Sequence, residues 1–202
     1  MRKKWFLKQV VEKLGSKQKG SIRRTKALFL DRDGVINVDY GHVFERTHFL
    51  FIDGIFELAR DALAKGYLLI VITNQAGIGR GMYSENQFAK LTNWMCEVFS
   101  ENGASIDKVY FSASHPTAGI GIYKREDSRR KPGPGMIYDA QRDFKIDLSN
   151  SVLIGDKMTD IQAGQAAGVG LNVLVGDHVT KKDKSSGSMC SVSSLREICD
   201  LI

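Results

Sequence analysis

Residues 27–37 are ALFLDRDGVIN, and this stretch starts the pattern that decides the fold class. The four apolar residues 27–30 predict a short buried strand, which runs directly into Asp31, Arg32 and Asp33. Two carboxylates at the end of a buried strand are costly unless a cation or hydrogen bonds compensate them. A turn at Asp33-Gly34 is the simpler explanation, so the other strand ends must be compared with this one.

Strand-like and helix-like segments alternate along the rest of the chain. Further strands are predicted at 67–73, 109–113, 152–155 and 171–175, and helices at 54–65, 84–102, 134–144, 157–167 and near 193–201. Ser84 and Gln87 have the spacing of a capping box. Strands that are apolar on both faces and alternate with helices predict an α/β fold, a doubly wound, Rossmann-like parallel sheet. In such sheets ligands bind beyond the carboxyl ends of the strands.

Charge and composition divide the chain into three predicted parts: a basic extension at 1–25, one domain at 26–180, and a linker with a C-terminal helix at 181–202. Residues 1–26 carry ten Lys or Arg against one acid, which gives +9 and leaves −3 of the total +6 for the remainder. Apolar residues at helical spacing within 3–14 predict a basic amphipathic helix. This helix could bind a membrane surface or a protein partner, and a solvated leader is the simpler alternative.

The sequence also predicts a cytoplasmic location. It contains no run of 18 apolar residues, and the apolar stretch near the amino terminus is interrupted by charges and lacks a signal-peptide cleavage site. The three cysteines have irregular spacing, which supports neither a disulfide framework nor a cysteine metal site. A reducing compartment is therefore expected.

Polar clusters follow three strands and precede one helix. Each cluster alone has an ordinary explanation as a turn, a helix cap or a solvated loop. Together they would place acids, a hydroxyl and a lysine at one edge of the sheet. That set suits phosphoryl transfer, because oxygen ligands bind Mg²⁺, a lysine neutralises phosphoryl oxygens and a carboxylate can act as nucleophile. The clusters are Asp31-Arg32-Asp33, Thr73-Asn74-Gln75, Gly155-Asp156-Lys157 with Asp160, and Arg130-Lys131.

Four sequence blocks carry a family resemblance: DRDGVIN (31–37), TNQAGIGRG (73–81), RKPGPGM (130–136) and GDKMTDIQAG (155–164). In this order and spacing they resemble the haloacid dehalogenase (HAD) superfamily of phosphatases. Within it they most resemble the branch of D,D-heptose 1,7-bisphosphate 7-phosphatases and histidinol-phosphatases. The resemblance covers about residues 26–176 of the chain.

The resemblance implies a role for each site residue. Asp31 would attack the phosphorus and form an aspartyl phosphate, and Asp33 would act first as acid and then as base. Mg²⁺ would be held by Asp31, the backbone carbonyl of Asp33, and Asp156. Thr73 and Lys131 would hold the phosphoryl group, with Asn74 and Gln75 beside them. Arg130 and Asp39 would contact the rest of the substrate. Lys157 and Asp160 would orient Asp156.

The function implied is magnesium-dependent hydrolysis of D-glycero-D-manno-heptose 1,7-bisphosphate to heptose 1-phosphate, by a monomer, in bacterial surface-glycan synthesis such as that of lipopolysaccharide. Histidinol-phosphate phosphatase shares these motifs and stays open as an alternative. A phosphatase of nucleic-acid 3′ ends is a further alternative. We expect no nucleic-acid partner, because residues 27–202 carry −3 and show no basic stripe interleaved with aromatic residues.

Two features distinguish the chain from many of its relatives. Many heptose phosphatases carry a zinc clamp, whose ligand positions here hold Ser112, Ser114, Asp127 and Arg129. Because serine is a poor zinc ligand and arginine is none, we expect no structural zinc. Only about twenty residues separate Asp33 from the next helix, too few for a cap domain. The resemblance therefore implies a capless, open site whose specificity depends on loops 38–48 and 114–130.

Overall fold

The computed structural model describes residues 25–176 and 188–202, which form a six-stranded parallel sheet with helices on both faces. The strand order is β3-β2-β1-β4-β5-β6, so the chain moves outward from β1 to β3 and then returns to the other side of β1. The order reverses between β1 and β4, where a ligand crevice is expected. The strands are β1 (Lys26–Leu30), β2 (Tyr67–Asn74), β3 (Lys108–Ser112), β4 (Val152–Gly155), β5 (Leu171–Val175) and β6 (Met189–Val192).

The helices at 55–64, 85–101, 135–144 and 158–167 lie where local sequence signals predict, whereas the short helix at 76–79 was not predicted. The Ser84 hydroxyl accepts a hydrogen bond from the Gln87 amide at 3.2 Å, and the Gln87 side chain accepts one from the Ser84 amide at 2.9 Å, which confirms the capping box. The α-helices are α1 (Ile55–Ala64), α2 (Ala76–Gly79), α3 (Glu85–Glu101), α4 (Gly135–Phe144) and α5 (Met158–Ala167). Short 3-10 helices lie at Arg46–His48, Gly121–Tyr123, Leu148–Asn150 and Leu195–Ile198.

Alternate residues of β1 separate two hydrophobic cores, as a strand with a side-chain period of two requires. Leu28 and Leu30 face the core that contains α1 and α3, whereas Ala27 and Phe29 face the core that contains α4 and α5. All four side chains are fully buried. The doubly wound α/β prediction is therefore confirmed.

The C-terminal segment differs from the predicted linker and helix. Residues Met189–Val192 form β6, which pairs with β5 in parallel, and only one helical turn follows at Leu195–Ile198. Leu195 and Ile198 are buried in the core beside α1. The four residues MCSV have little strand character of their own, so pairing with β5 supplies the conformation. The predicted leader helix at 3–14 lies outside the described residues.

The connections near the carboxyl edge of the sheet are short. The segment between Asp33 and α1 contains one 3-10 turn and two isolated β-bridges at Asn37, and the segment between β2 and β3 contains only α2 and α3. Neither connection holds a second domain, so the carboxyl edge is uncovered within residues 25–176 and 188–202. In the same two ranges no helix has the length and apolar character needed to cross a membrane.

Candidate active site

A cavity of about 430 Å³ opens at the carboxyl edge of the sheet. Its floor is made where β1, β2 and β4 end, as the strand order requires. Asp156 lies beside this floor and groups with Asp31 and Asp160, since one carboxylate oxygen from each lies within 4.8 Å of the others. Every other residue of the predicted site lines the cavity: Asp31, Asp33, Asp39, Thr73, Asn74, Gln75, Arg130, Lys131, Lys157 and Asp160.

Lys131 occupies the centre of the floor and is almost fully buried. Its ammonium lies 2.8 Å from Asp31 Oδ1 and 2.6 Å from Asp160 Oδ1, and it donates to the carbonyl of Ile72 at 3.0 Å. Burial opposes the charged form, but the two carboxylates together raise the pKa of Lys131. The Asn74 amide pairs with the Lys131 backbone in both directions at 3.0 Å. Asn74, which the family resemblance places beside the phosphoryl group, lines the cavity, and its side chain also holds the Lys131 backbone.

Asp31 is the first residue after β1, and its amide donates to the carbonyl of Ile154 at 3.0 Å. Burial raises the pKa of Asp31 to about 7, although Lys131 acts in the opposite direction. Its Oδ1 accepts from Lys131 and from the Arg32 amide at 2.7 Å. Its Oδ2 makes no hydrogen bond within the part of the chain that the structure describes. One oxygen of this carboxylate is therefore fixed, and the other is available to an incoming group.

Asp33 is held by three side chains. Nη2 of the buried Arg32 lies 2.7 Å from both carboxylate oxygens, Asn37 donates at 3.1 Å and Gln75 donates at 3.0 Å. Gln75 in turn accepts from the hydroxyl of Tyr83 at 2.6 Å. Gln75, which was predicted to lie beside the phosphate, lines the cavity, and its side chain also orients Asp33. Arg32 and Asn37 were not identified from the sequence, although both lie in the DRDGVIN block.

The acidic cluster fits a divalent cation. Asp156 Oδ1 is buried and has no hydrogen-bond partner in residues 25–176 and 188–202, and burial raises the pKa of Asp156. A buried carboxylate oxygen without a partner is costly unless a cation compensates it, and Mg²⁺ prefers such oxygen ligands. Asp160 differs, since its oxygens accept from Lys131 at 2.6 Å and from the Lys157 amide at 3.0 Å. Asp160 therefore holds Lys131 and the Lys157 amide, whereas the family resemblance implied that it orients Asp156.

Lys157 connects the end of β4 to loop 38–48. Its ammonium lies 2.9 Å from Asp39 Oδ2 and 3.6 Å from Asp156 Oδ2. Asp39 also accepts from the Gly41 amide at 2.9 Å. Asp39 was predicted to contact the substrate, and although it lines the cavity, its carboxylate holds Lys157. The pair positions the loop above Asp156.

The outer part of the cavity is cationic. Arg80 follows α2, and its guanidinium lies 3.5 Å from His42 Nε2, while Arg130 donates to the carbonyl of Ser114 at 3.2 Å. Partial burial and the neighbouring Arg80 lower the pKa of Arg130, and slight burial with both arginines lowers the pKa of His115. Neither guanidinium has an acidic partner within 4.0 Å among the described residues. Two unpaired guanidinium groups beside one cavity favour an anion there.

The four positions of the family's zinc clamp form hydrogen bonds with other groups. The Ser112 hydroxyl donates to Asp127 Oδ2 at 3.0 Å, and the Arg129 amide donates to Asp127 Oδ1 at 2.9 Å. The Arg129 guanidinium forms an ion pair with Asp139 at 3.1 Å, and the hydroxyl of the buried Ser114 accepts a hydrogen bond from Arg125 at 3.3 Å. These side-chain contacts hold loop 114–130 in place.

We predict that the purified protein contains no stoichiometric zinc, because a clamp made of two hydroxyls, one carboxylate and one guanidinium cannot supply tetrahedral nitrogen and sulfur ligands. The measurement is elemental analysis after growth with added zinc and mild chelation. Zinc that persists at one equivalent per chain would contradict this prediction.

Comparison with known proteins gives one family match and several relatives. Residues 128–194 match the family described as HAD-hydrolase-like. The chain is 58% identical over 165 residues to the D-glycero-alpha-D-manno-heptose-1,7-bisphosphate 7-phosphatase of Burkholderia mallei, covering 82% of this chain and 87% of the relative. It is 45% identical over 174 residues to the D-glycero-beta-D-manno-heptose-1,7-bisphosphate 7-phosphatase of Vibrio cholerae, covering 85% and 93%.

Solved structures share the same architecture. A protein described as a HAD-like phosphatase from Mesorhizobium loti matches with a TM-score of 0.79 and 33% identity over 88% of this chain and 84% of that one. The D,D-heptose 1,7-bisphosphate phosphatase of B. bronchiseptica, complexed with magnesium and phosphate, matches with a TM-score of 0.74. That match has 23% identity and covers 88% of this chain and 97% of the other, so it supports the fold.

Proposed function

The chain belongs to the family of HAD-like hydrolases that includes the heptose-1,7-bisphosphate 7-phosphatases, and on this premise we propose that it removes the 7-phosphate from D-glycero-D-manno-heptose 1,7-bisphosphate. One observation carries the proposal. At the cavity floor, Asp31 contacts Lys131 through Oδ1 and keeps its other carboxylate oxygen, Oδ2, available. Arg80 and Arg130 form a separate cationic rim at the entrance. The floor suits the phosphoryl group that is transferred, and the rim suits a second phosphate.

In the proposed reaction, Asp31 Oδ2 attacks phosphorus and the bond from phosphorus to the sugar oxygen breaks. Lys131 neutralises charge on the phosphoryl oxygens. Asp33 gives a proton to the leaving sugar oxygen, so that heptose 1-phosphate departs as an alcohol. Water then attacks the aspartyl phosphate while Asp33 takes its proton, which releases phosphate and restores Asp31. Hydrogen bonds from Arg32, Asn37 and Gln75 hold the Asp33 carboxylate in one orientation.

We further propose that Asp31, Asp156 and the backbone carbonyl of Asp33 hold Mg²⁺. The unpartnered Oδ1 of Asp156 supports this assignment. When bound, the cation offsets the mutual repulsion of an anionic carboxylate and an anionic phosphate. Asp160 stays outside this set, because both of its oxygens already accept hydrogen bonds.

Gly34→Ala should weaken magnesium binding. Gly34 has a φ of 92°, and a β-carbon there would lie 2.2 Å from Asp156 Oδ2, so the carboxylate would have to move. Gly41 has a φ of 76° and nothing within 4 Å of its would-be β-carbon. An alanine at either position introduces backbone strain of about 1–3 kcal/mol, because both glycines have a positive φ. Gly41→Ala is therefore the matched control, since it adds this strain without a clash. We expect Gly34→Ala to raise the Mg²⁺ concentration for half-maximal activity by about tenfold or more. Equal magnesium titrations for the two variants would contradict this explanation.

The cationic rim favours the bisphosphate over histidinol phosphate. Histidinol carries a protonated amine, which Arg80 and Arg130 would repel, whereas the 1-phosphate of the heptose would pair with them. The higher identity to the alpha-anomer enzyme of Burkholderia mallei, 58% against 45% for the beta-anomer enzyme of Vibrio cholerae, supports the alpha anomer as the preferred substrate.

The test is phosphate release from both anomers of heptose 1,7-bisphosphate, from heptose 7-phosphate and from histidinol phosphate, with Mg²⁺ and with excess chelator. We expect kcat/KM for the bisphosphate to exceed that for the two monophosphates by about tenfold or more. Arg80→Ala should remove most of that advantage and leave heptose 7-phosphate hydrolysis little changed. Preference for histidinol phosphate, or full activity in excess chelator, would overturn the proposal.

We also propose that the enzyme acts as a monomer in the cytoplasm, without nucleic acid. The three cysteines are free thiols, which suits a reducing compartment. Light scattering during size-exclusion chromatography tests the oligomeric state, and a mass of two chains would reject the monomer.

A further inference from the structure

We propose that Asp127 is a positioning residue whose carboxylate fastens the turn 127–131 to the end of β3 and thereby places the Arg130 guanidinium at the cavity rim. This inference rests on the proposed function, in which Arg130 contacts the part of the substrate that is not transferred. Asp127 itself does not line the catalytic cavity.

Three hydrogen bonds converge on Asp127. The hydroxyl of Ser112, the last residue of β3 and a buried one, donates to Oδ2 at 3.0 Å. The Arg129 amide donates to Oδ1 at 2.9 Å, and the Arg130 amide donates to the Asp127 carbonyl at 2.9 Å. Asp127 thus joins β3 to the turn 127–131, which carries Arg130.

The Asp127 carboxylate is suited to this task. Partial burial opposes its ionisation, but hydrogen bonds from the Arg129 amide and the Ser112 hydroxyl, together with the nearby Ser114 hydroxyl, lower the pKa of Asp127. It is therefore charged at neutral pH. A carboxylate accepts stronger hydrogen bonds than a neutral group, so the anchor holds the turn firmly.

The turn is compact, so its location depends on the contacts at its two ends. The Gly135 amide donates to the Ser128 carbonyl at 2.8 Å. A β-carbon on Gly133 would lie 2.3 Å from the same carbonyl, which shows how closely the backbone is packed. One end of this piece continues into α4, and Asp127 fixes the other end.

Loss of the Asp127 carboxylate should change the position of Arg130 more than that of Lys131. Lys131 is held independently by Asn74, by the Ile72 carbonyl and by two carboxylates. The Arg130 side chain has one hydrogen bond in the described ranges, to the Ser114 carbonyl at 3.2 Å. Because Lys131 serves the reacting phosphoryl group and Arg130 serves the remainder of the substrate, KM should change while kcat stays nearly constant.

The experiment is a double-mutant cycle with Asp127→Ala and Arg130→Ala. We expect Asp127→Ala to raise KM about fivefold or more and to change kcat by less than about threefold. Adding Asp127→Ala to Arg130→Ala should raise KM little further, because coupled residues give non-additive effects. Asp127→Asn should raise KM less than Asp127→Ala does, since an amide can accept from the Arg129 amide and donate to the Ser112 hydroxyl, although it accepts weaker hydrogen bonds than the carboxylate.

Asp143→Ala is the matched control. Asp143 also anchors β3, by accepting from the Tyr110 hydroxyl at 2.8 Å, but it lies away from the cavity. We expect this variant to keep the wild-type KM, and circular dichroism with a thermal melt checks that all variants fold. Additive effects in the cycle, a fall in kcat at constant KM, or equal damage from Asp127→Asn would overturn the inference.

The two proposals fail in different ways. Wild-type protein that does not hydrolyse heptose 1,7-bisphosphate overturns the proposed function alone. The cycle is then measured on whichever phosphate ester of the panel the wild type hydrolyses fastest, and additive changes on that ester would overturn the role of Asp127.

Discussion

Asp31→Asn is expected to reduce kcat by about 10⁴-fold or more while the fold stays intact. An amide oxygen is a far weaker nucleophile than a carboxylate, so the covalent step fails even though the substrate can still bind. The change is nearly isosteric. The amide oxygen can still accept from the Arg32 amide and from Lys131, and Lys131 keeps Asp160 as its second partner. The measurement is single-turnover phosphate release at saturating substrate and Mg²⁺.

An acid quench of the wild type with labelled substrate should trap phosphate on the protein, and the variant should trap none. Asp107→Asn is the matched control, because Asp107 accepts from the Leu69 amide at 2.8 Å near the opposite edge of the sheet. It should keep wild-type kcat. Near-normal turnover by Asp31→Asn, with normal circular dichroism, would show that another group is the nucleophile.

The sequence predicted the parts of this fold that local patterns control. Ser84 caps its helix because serine and glutamine at that spacing satisfy two free amides, and the fully apolar stretch before Asn74 forms a strand that is buried on both faces. The convergence of Asp31 and Asp156 was also predictable. Both follow strands that neighbour each other where the order of a parallel sheet reverses.

The pairing of side chains within the site was not predictable from spacing. Gln75 binds Asp33, Asn74 binds the Lys131 backbone, and Lys157 binds Asp39, across separations of 42, 57 and 118 residues. Gln75, Asn74 and Lys157 are all donors that could equally well contact a phosphate. Rotamers and the paths of intervening loops decide the partner, and neither leaves a periodic signal in the sequence.

The second large effect is expected for Lys131→Met. Removing the ammonium leaves Asp31 and Asp160, which are 6% and 1% exposed, facing each other without a cation. Loss of one partner from a buried ion pair costs about 3–5 kcal/mol, so the free energy of unfolding should fall by that amount in the absence of Mg²⁺. Turnover should fall by about 10³-fold or more, because the phosphoryl oxygens lose the group that neutralises them. Urea denaturation and steady-state kinetics measure the two effects.

A second substitution separates stability from catalysis. Adding Asp160→Asn to Lys131→Met removes one of the two facing charges, so it should recover part of the lost stability and none of the lost turnover. Lys65→Met is the control, since Lys65 pairs with Asp61 at 2.8 Å on the surface and should change the free energy of unfolding little. If Lys131→Met were as stable as Lys65→Met, the buried cation would not be what holds these carboxylates together. If Asp160→Asn restored turnover as well, repulsion between the acids, rather than the missing ammonium, would account for the loss of activity.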